Sequence, residues 1–225
     1  MKLSIIVPAL DEAAAIAATL EPLAPLRAAG DEVIVVDGGS ADATAAIAAP
    51  CADKVIQAPR GRARQMNAGA AIATGDALLF LHADTRLPVN AAQLVRGALL
   101  THGWGRFDVR IEGRSRGLAV VAFFMNWRSR LTGIATGDQA MFARREVFTA
   151  AGGFPEIPLM EDVAFSARLK AISRPACLAA RAVTSGRRWE RRGVLRTIVL
   201  MWRLRLAYFL GARPEDLARR YANGA

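Results

Sequence analysis

Short, continuous apolar runs recur through the first third of the chain, and alanine-rich stretches separate them. Strands buried on both faces of a parallel sheet give such runs. The pattern predicts strands at residues 3–8, 32–37, 54–57 and 77–82. It predicts helices between them at residues 13–20, 41–49 and 62–74. Ser40 is expected to cap the helix at 41–49, and the alternation of strand and helix indicates a parallel sheet with right-handed crossovers.

The second half of the chain is less regular. Residues 104–111 alternate between apolar and polar side chains and are interpreted as a strand at an exposed edge. Further strands are predicted at 139–144 and 176–183, and helices at 117–128, 146–151, 161–171, 193–210 and 214–222. Pro214 suits the first position of the last helix. The pattern as a whole predicts an α/β fold whose central sheet is mostly parallel and flanked by helices, with helices at the C-terminus.

The net charge of +10 is concentrated near the C-terminus. Residues 181–225 contain eleven arginines and three acids, so they carry eight of the ten excess charges. This distribution argues against a general nucleic-acid coat and favours a basic patch that faces phosphates or an anionic membrane surface. We expect residues 1–190 to form one domain and residues 191–225 to form a basic helical extension packed on it.

The apolar helix predicted at 193–210 has two interpretations. Arg192, Arg196 and Arg203 fall on one stripe, and most of the other positions are apolar, as in a helix that lies in a membrane interface. Packing on the domain or on a second subunit, as in a homodimer, is the alternative. The arginines inside the segment exclude a membrane-spanning helix. Cys51 and Cys177 lack metal-ligand spacing and are expected to be reduced thiols of a cytoplasmic protein.

Polar residues cluster directly after three of the predicted strands. In an open α/β sheet, ligands bind at the carboxyl ends of the strands. The chemistry is therefore expected just after Val7, Val36 and Leu81. The residues found there are Asp11 and Glu12, the segment 37–40, and the segment 82–84.

Asp37 ends a strand of β-branched residues and precedes Gly38 and Gly39. A carboxylate at this position can accept hydrogen bonds from ribose hydroxyls or a base N–H, and the glycines let a ligand approach the backbone. The alternative is a turn or helix-capping aspartate. The segment is not a G-x-G-x-x-G fingerprint, which disfavours a redox dinucleotide.

His82, Ala83 and Asp84 lie at the end of the fourth predicted strand. Side chains two apart on a strand point the same way, so His82 and Asp84 are expected to face one site. Asp84 is the predicted ligand of Mg²⁺ or Mn²⁺, with diphosphate oxygens and water completing the coordination. His82 contacts the nucleotide or orients Asp84. The alternative is a turn at residues 84 and 85.

Residues 60–67 place three arginines where a loop enters a helix. Helix N-termini and arginine side chains both suit phosphate. Arg60 and Arg64 are the preferred contacts, and a solvated basic turn is the alternative.

Two later segments are candidates for the reaction itself. Glu161 and Asp162 begin a helix, where acids are ordinary partners of the helix dipole. Functionally, one carboxylate can deprotonate an acceptor hydroxyl during a displacement at an anomeric carbon, which would invert that carbon. In the segment 185–189, Arg188 is expected to pair with a diphosphate and Trp189 to stack on a sugar or base. The alternative is a solvated basic loop with Trp189 packed on the body.

Residues 4–12 and 35–44, with the segments 64–75, 79–85, 137–139 and 161–162, closely resemble glycosyltransferase family 2, which has the GT-A fold of nucleotide-diphospho-sugar transferases. The size and the tail resemble the small subgroup associated with radical-SAM and selenodomain genes. The resemblance implies that Asp84 binds the metal, that Asp162 is the catalytic base, and that Arg188 and Trp189 form the end of a Q-x-x-R-W motif. The residues that it and the preceding patterns assign to the donor nucleotide are Pro8, Asp11, Glu12, Asp37, Gly39, Arg60, Arg64, Asn67, His82, Ala83, Arg188 and Trp189.

Two departures from the family pattern stand out. His82 occupies the position of the first acid in the family's D-x-D motif, and Ser185 occupies that of the glutamine in Q-x-x-R-W. The second departure, with the missing membrane spans, favours a single sugar addition over processive polymerisation.

The resulting expectation is a glycosyltransferase that uses Mg²⁺ or Mn²⁺ and a nucleotide diphosphate sugar. The acceptor is an unknown hydroxyl, with a lipid-linked acceptor included, and no nucleic acid is involved. The expected location is the cytoplasm, with the inner membrane face as an alternative. Two rival functions are a nucleotidyltransferase that makes sugar nucleotides, for which the G-x-G-x-R motif is missing, and a non-catalytic protein that binds membrane surfaces.

Overall fold

An eight-stranded sheet organises the protein in the computed structural model, which describes residues 1–223 apart from the side chains of Arg188 and Asn223. The strands are β1 Leu3–Ala9, β2 Glu32–Asp37, β3 Lys54–Gln57, β4 Ala77–Phe80, β5 Thr85–Arg86, β6 Trp104–Glu112, β7 Phe142–Arg144 and β8 Ala176–Ser185. Their order across the sheet is β3-β2-β1-β4-β7-β6-β8-β5.

The helices lie on both faces of this sheet and at its C-terminal side. They are α1 Ile16–Leu20, α2 Ala24–Ala28, α3 Thr44–Ala48, α4 Arg62–Ile72, α5 Ala91–Ala98, α6 Gly117–Thr132, α7 Arg145–Ala150, α8 Glu161–Ile172, α9 Arg187–Arg192, α10 Val194–Phe209 and α11 Pro214–Asn223. Short 3-10 turns occupy Glu21–Leu23, Ala49–Cys51 and Gly137–Gln139.

The N-terminal half is a parallel sheet, as the sequence predicts. β1 pairs in parallel with β2 and β4, and β2 pairs in parallel with β3. Every residue of β1 and β2 is buried. α4 lies close on these strands because Gly69 has no side chain: a Cβ there would be 2.5 Å from Cγ2 of Ile6.

The C-terminal half is mixed, and one prediction about it is wrong. β7 is antiparallel to both β4 and β6, β8 is parallel to β6, and β5 is antiparallel to β8. β6 was expected at an exposed edge but lies inside the sheet. The inner polar positions are paired: the buried Arg106 donates to Asp108, which also pairs with Arg130 at 2.7 Å, whereas Arg110 and Glu112 are exposed.

Several predicted boundaries also differ. The strand expected at 77–82 ends at Phe80, and the strand expected at 139–144 begins at Phe142, after a 3-10 turn. The helices expected to begin at residues 13 and 41 begin at Ile16 and Thr44. Ser40 does not cap the second of these helices, because its hydroxyl bonds to Asp37 instead. The short elements α2, α5, α9 and β5 were not predicted.

The two C-terminal helices pack on the rest of the chain. Val194 and Ile198 of α10 contact an apolar cluster that contains Val109, Leu118 and Trp189. A second cluster joins Leu204 of α10, Leu217 of α11 and Met160, the residue before α8. A domain boundary at residues 190 and 191 stays a prediction. Within the described residues, none of the helices is long and apolar enough to cross a membrane, and both cysteines are unpaired.

Candidate active site

The carboxyl ends of β1 and β2 are tied together by a residue that the sequence patterns did not single out. The side-chain amide of Gln65 in α4 is buried and donates to the carbonyl oxygens of Ala9 and Val36, each at 2.8 Å. Gly38 makes room for it, since a Cβ at Gly38 would lie 3.0 Å from Nε2 of Gln65. Gln65 therefore fixes the two loops that carry the first candidate residues.

Asp37 is buried at the end of β2, and its carboxylate organises the loop that follows. It accepts hydrogen bonds from the backbone N–H groups of Gly39 at 3.1 Å and Ser40 at 3.0 Å, and from the Ser40 hydroxyl. Gly39 has a φ of 86°, and nothing lies within 4 Å of the position of a Cβ. The loop thus needs glycine here and leaves open space beside its backbone.

Asp11 and Glu12 lie opposite this loop, at the end of β1. Asp11 adopts a positive φ of 53°, and its carboxylate accepts from the N–H of Ala41 at 2.8 Å. Its own N–H donates to the Ser40 hydroxyl at 2.9 Å. The carboxylate of Glu12 instead pairs with Arg187 at 2.9 Å. The loops after β1 and β2 are therefore joined by short polar contacts, as predicted for residues at neighbouring strand ends.

Asp84 opens onto a cleft of about 270 Å³. Its side chain is 27% exposed, and the Arg187 guanidinium lies 3.8 Å from its Oδ2 atom. Because Arg187 also pairs with Glu12, one cation bridges the two carboxylates. Ser185 and Glu112 line the same cleft. Arg187 was not a predicted site residue, although it stands next to Arg188 in the basic segment.

His82 lies in a different cavity from Asp84, so the geometric reason for placing them together is wrong. The strand stops at Phe80, and the alternation of strand side chains does not extend to residues 82 and 84. His82 instead lines a small cavity with Gly137, Glu161 and Asp162. Its Nδ1 atom is 3.2 Å from a carboxylate oxygen of Asp138.

Gly137 joins His82 to Asp162. Its N–H donates to Oδ2 of Asp162 at 2.8 Å, while the other carboxylate oxygen of Asp162 accepts from the N–H of Val163 at 2.7 Å. The His82 ring lies against Gly137 so closely that a Cβ would be 2.2 Å from Nε2. Residues 82, 137 and 162 thus form one packed unit built from three separate parts of the chain.

The acid pair at the start of α8 is unequal. Asp162 is half-buried, whereas Glu161 is buried and only 4% exposed. Burial, and then the neighbouring charge of Asp162, raise the pKa of Glu161 above its ordinary value. Arg62 opposes this shift from 3.4 Å away. Arg62, rather than Arg60 or Arg64, is the arginine of that segment that meets the acid pair.

Arg128 of α6 and Arg205 of α10 also interact electrostatically with Asp162. Burial and the neighbouring Arg205 lower the pKa of Arg128 to about 10, against the opposing effect of Asp162. Burial likewise lowers the pKa of Arg205, opposed by Asp162 and Asp138. Nη2 of Arg128 is buried and has no hydrogen-bond partner among the described residues. The site therefore concentrates positive charge beside its acids, which suits an anionic group such as a phosphate.

The other predicted phosphate contacts have different positions. Arg60 is exposed at the turn before α4, and Arg64 pairs with Glu156 at 3.2 Å on the surface. Asn67 donates to the carbonyl of Phe154 at 2.8 Å and accepts from its N–H at 2.9 Å. Asn67 thereby holds the loop that leads to Glu161 and Asp162.

The remaining predicted residues are mostly enclosed. Pro8 is buried within β1, and Ala83 is buried with its carbonyl accepting from the Thr19 hydroxyl at 2.7 Å. Trp189 packs against the apolar cluster around Leu118. This is the packing alternative that was set against stacking on a sugar. The side chain of Arg188 lies outside the described residues.

Asp84 fits a divalent cation only as one ligand among several. Among the described residues, there is no group of three or more His, Cys, Asp or Glu side chains able to hold a metal ion. The carboxylate is partly exposed at a cleft, and its hydrogen bond from Thr85 is long, at 3.5 Å. Such a carboxylate suits a cation that takes its other ligands from substrate phosphates and water.

Comparison with known proteins identifies the family. The family model described as glycosyl transferase family 2 matches residues 4–148. The chain belongs to glycosyl transferase family 2. The matched region contains β1 to β4 and the loops that carry Asp37 and Asp84. No curated protein matches the chain. The resemblance to the radical-SAM and selenodomain subgroup stays a prediction.

Solved structures of transferases share the fold. A mannosyltransferase of Pyrobaculum calidifontis, in complex with GDP-Man and Mn²⁺, has a TM-score of 0.67 and 22% identity, covering 99% of this chain and 69% of that one. TarS of S. aureus, in complex with UDP-GlcNAc, has a TM-score of 0.66 and 21% identity, covering 82% of this chain.

Glucosyl-3-phosphoglycerate synthase of Mycobacterium tuberculosis, in complex with Mn²⁺, UDP and glucosyl-3-phosphoglycerate, has a TM-score of 0.60 and 21% identity, covering 81% of this chain and 70% of that one. The match spans 58% of the TarS chain. The expected GT-A fold is confirmed.

Proposed function

We propose that this protein transfers a sugar from a nucleotide diphosphate sugar to an acceptor hydroxyl, one sugar at a time and with inversion at the anomeric carbon. One observation carries the proposal. In a family 2 chain, the carboxylate of Asp162 is fixed by the Gly137 N–H at 2.8 Å and lines a cavity with His82 at the end of the sheet. A base held in this way can act on a hydroxyl that enters from the open side.

The donor nucleotide would lie across the carboxyl ends of β1 and β2. Asp37, Asp11 and Gly39 present carboxylates and open backbone there. Ribose hydroxyls can donate to these carboxylates, and a flat base can lie against the Gly39 backbone. Pro8, near the end of β1, is proposed as a further contact of the nucleotide. The structures of TarS and of the mannosyltransferase hold UDP-GlcNAc and GDP-Man in the same fold, which supports a donor of this class.

The diphosphate would lie in the cleft beside Asp84. When bound there, Mg²⁺ or Mn²⁺ stabilises the charge of a departing nucleoside diphosphate. Asp84 would hold the ion, and Arg187 would pair with diphosphate oxygens while retaining its contact with Glu12. Arg188 is proposed as a further partner of the diphosphate, and Arg60 and Arg64 as phosphate contacts at the start of α4.

Asp162 would accept the proton of the acceptor hydroxyl. As the hydroxyl oxygen forms its bond to the anomeric carbon, the bond from that carbon to the diphosphate oxygen breaks, and the electron pair leaves with the nucleoside diphosphate. Attack from the face opposite to the leaving group inverts the carbon. Gly137 would position the base, because its N–H donates to the carboxylate of Asp162. His82 would support this position, because its ring packs against Gly137.

The role of Asp162 is tested by the substitution Asp162→Asn. The amide has almost the same shape but cannot take up the proton, so transfer should fall by about 10²–10⁴-fold. Donor binding, measured by calorimetry, should stay within a few-fold of the original because Asp162 and Asp84 line different cavities.

The matched control is Glu161→Gln, which changes the neighbouring buried carboxylate. It should retain much more transfer activity than Asp162→Asn. If Asp162→Asn retains transfer, the base is another residue. If neither protein binds any nucleotide sugar with either metal, the proposed function itself is wrong.

A further inference from the structure

Helix α6 exposes an apolar stripe to solvent. Residues at spacings of three and four along the helix face outward, and they are large and apolar. They are Val120, Phe123, Phe124, Trp127 and Leu131, whose exposed fractions range from 53% to 66%. On the opposite face of the helix, Leu118, Val121 and Ala122 are buried. An amphipathic helix of a soluble domain normally exposes its polar side, so this pattern requires a different explanation.

Helix α10 also exposes an apolar stripe. Its outward apolar residues, again at helical spacing, are Leu195, Val199, Trp202, Leu206 and Phe209, followed by Leu210, and their exposed fractions range from 51% to 87%. Its inner side is buried at Thr197 and Leu204. Both helices therefore present apolar side chains that the described part of the chain leaves uncovered.

The two helices lie side by side. Val194 and Ile198 of α10 pack in the cluster formed by Leu118, Val121 and Ala122 of α6. A Cβ at Gly117 would be only 3.3 Å from Val194. The two outward stripes consequently belong to one surface, which we call the apolar face. It comprises the exposed residues of α6 and α10 named above.

Arginines are frequent in the segments that carry the apolar face. Residues 114–132 and 187–210, which contain both helices, carry eleven arginines and one acid, Glu190. That single carboxylate bonds to the backbone N–H of Arg114. Arg114, Arg116, Arg196 and Arg203 are exposed. An apolar surface beside these four exposed arginines is complementary to apolar chains with anionic headgroups.

We propose that the apolar face docks on an anionic phospholipid membrane. Phe123, Phe124, Trp127, Trp202 and Phe209 would lie at the boundary between headgroups and acyl chains, where aromatic rings are favoured. The arginines would contact the phosphates. A second copy of the chain is a poorer occupant, because a two-fold interface would bring the same arginine-rich surfaces together without acids to pair with them.

Docking has a consequence for the reaction, which rests on the proposed function. The same two helices carry the half-buried Arg128 and Arg205, whose charges interact with that of Asp162. A helix with its side chains is about 10 Å across. The candidate base therefore lies close behind the membrane surface, where an acceptor on an anionic lipid would be within reach.

Vesicle sedimentation with the full chain tests the docking surface independently of catalysis. Binding to vesicles of phosphatidylglycerol and phosphatidylcholine should greatly exceed binding to phosphatidylcholine alone and should weaken in 0.5 M NaCl. The triple substitution Phe123→Ser, Phe124→Ser, Trp127→Ser should weaken binding at least tenfold, since apolar burial drives the insertion. The pair Arg196→Gln, Arg203→Gln should weaken it by about thirtyfold.

The matched control is the pair Val89→Ser, Leu100→Ser, which removes exposed apolar residues elsewhere on the surface. It should bind as the unmodified protein does. Circular dichroism confirms that each variant is folded. Equal binding by the triple variant and the control would overturn the proposal. So would a dimer in sedimentation velocity that the triple variant abolishes, combined with no binding to anionic vesicles.

Discussion

Glu161 is a residue of the site whose buried charge is expected to lower the stability of the fold. Its carboxylate is 4% exposed, and burial together with Asp162 raises its pKa. A carboxyl group with a raised pKa in the folded state binds its proton more tightly there than in the unfolded chain. Its ionisation therefore destabilises the fold as the pH rises above its ordinary pKa of 4.5.

The substitution Glu161→Gln should consequently raise the melting temperature at pH 7.5. The increase should shrink as the pH falls towards 4.5, because the buried glutamate then folds in its protonated form. Melting curves of the two proteins over this pH range measure the effect. A substitution that lowers the melting temperature most strongly at pH 7.5 would show instead that the pair with Arg62 outweighs the burial of the charge.

Single residues also show where sequence reasoning stops. The aspartates at the strand ends were predictable, because polar residues after apolar runs are visible along the chain. The packed unit of His82, Gly137 and Asp162 was not, since its members are brought together only by tertiary structure. Gln65 and Arg128 were missed for the same reason: an isolated polar residue in a helix carries no sign of the partner that it meets. Arg62 was among the three arginines of residues 60–67, but Arg60 and Arg64 were preferred.

At the scale of elements, α11 supports the acid pair from a distance. Leu217 is fully buried and packs in one cluster with Leu204 and Met160. Met160 precedes α8 and adopts a left-handed backbone with φ 69°, which surrounding contacts must maintain in a residue other than glycine. The cluster therefore links the C-terminal helices to the orientation of Glu161 and Asp162.

The substitution Leu217→Ala should lower the free energy of unfolding by about 2–5 kcal/mol, as expected for a leucine removed from a packed core. It should also lower sugar transfer under conditions in which the protein is still folded. Urea unfolding and a donor-turnover assay measure the two effects. Leu210→Ala, at a residue 74% exposed, is the control and should change stability by less than about 0.5 kcal/mol. Equal stability of the two variants would contradict the packing of α11.

The elements differ in how well the sequence predicted them. The predicted bounds of β1 and β2 were nearly correct, because both faces of these strands are buried and each strand is therefore an almost unbroken apolar run. β6 was misplaced because the buried pair of Arg106 and Asp108 imitates the alternation of an edge strand. The helix expected at 41–49 was too long because Asp42 uses its carboxylate to bond Thr44, which favours a turn before the helix.

At the scale of the whole molecule, charge and apolar surface point the same way. The sequence located the positive charge in the C-terminal segment and left membrane, domain and second subunit as alternatives. The structure adds α6, whose outward stripe contributes five more exposed apolar residues to the surface that α10 presents. Helical periodicity alone could not reveal this, because an apolar stripe is normally interpreted as the buried side of a helix.

The central claim is that this chain binds a nucleoside diphosphate together with a divalent cation held by Asp84. Thermal melting with Mn²⁺ and either UDP or GDP tests it most directly. At about a hundred times the Kd, binding adds about 2.7 kcal/mol, which for a chain of this length raises the Tm by about 5–10 °C. Asp84→Ala should lose this increase, whereas Glu146→Ala, which removes an exposed carboxylate on α7, should keep it. An unchanged Tm with both nucleotides and either Mn²⁺ or Mg²⁺, or the same increase in Asp84→Ala, would contradict the account.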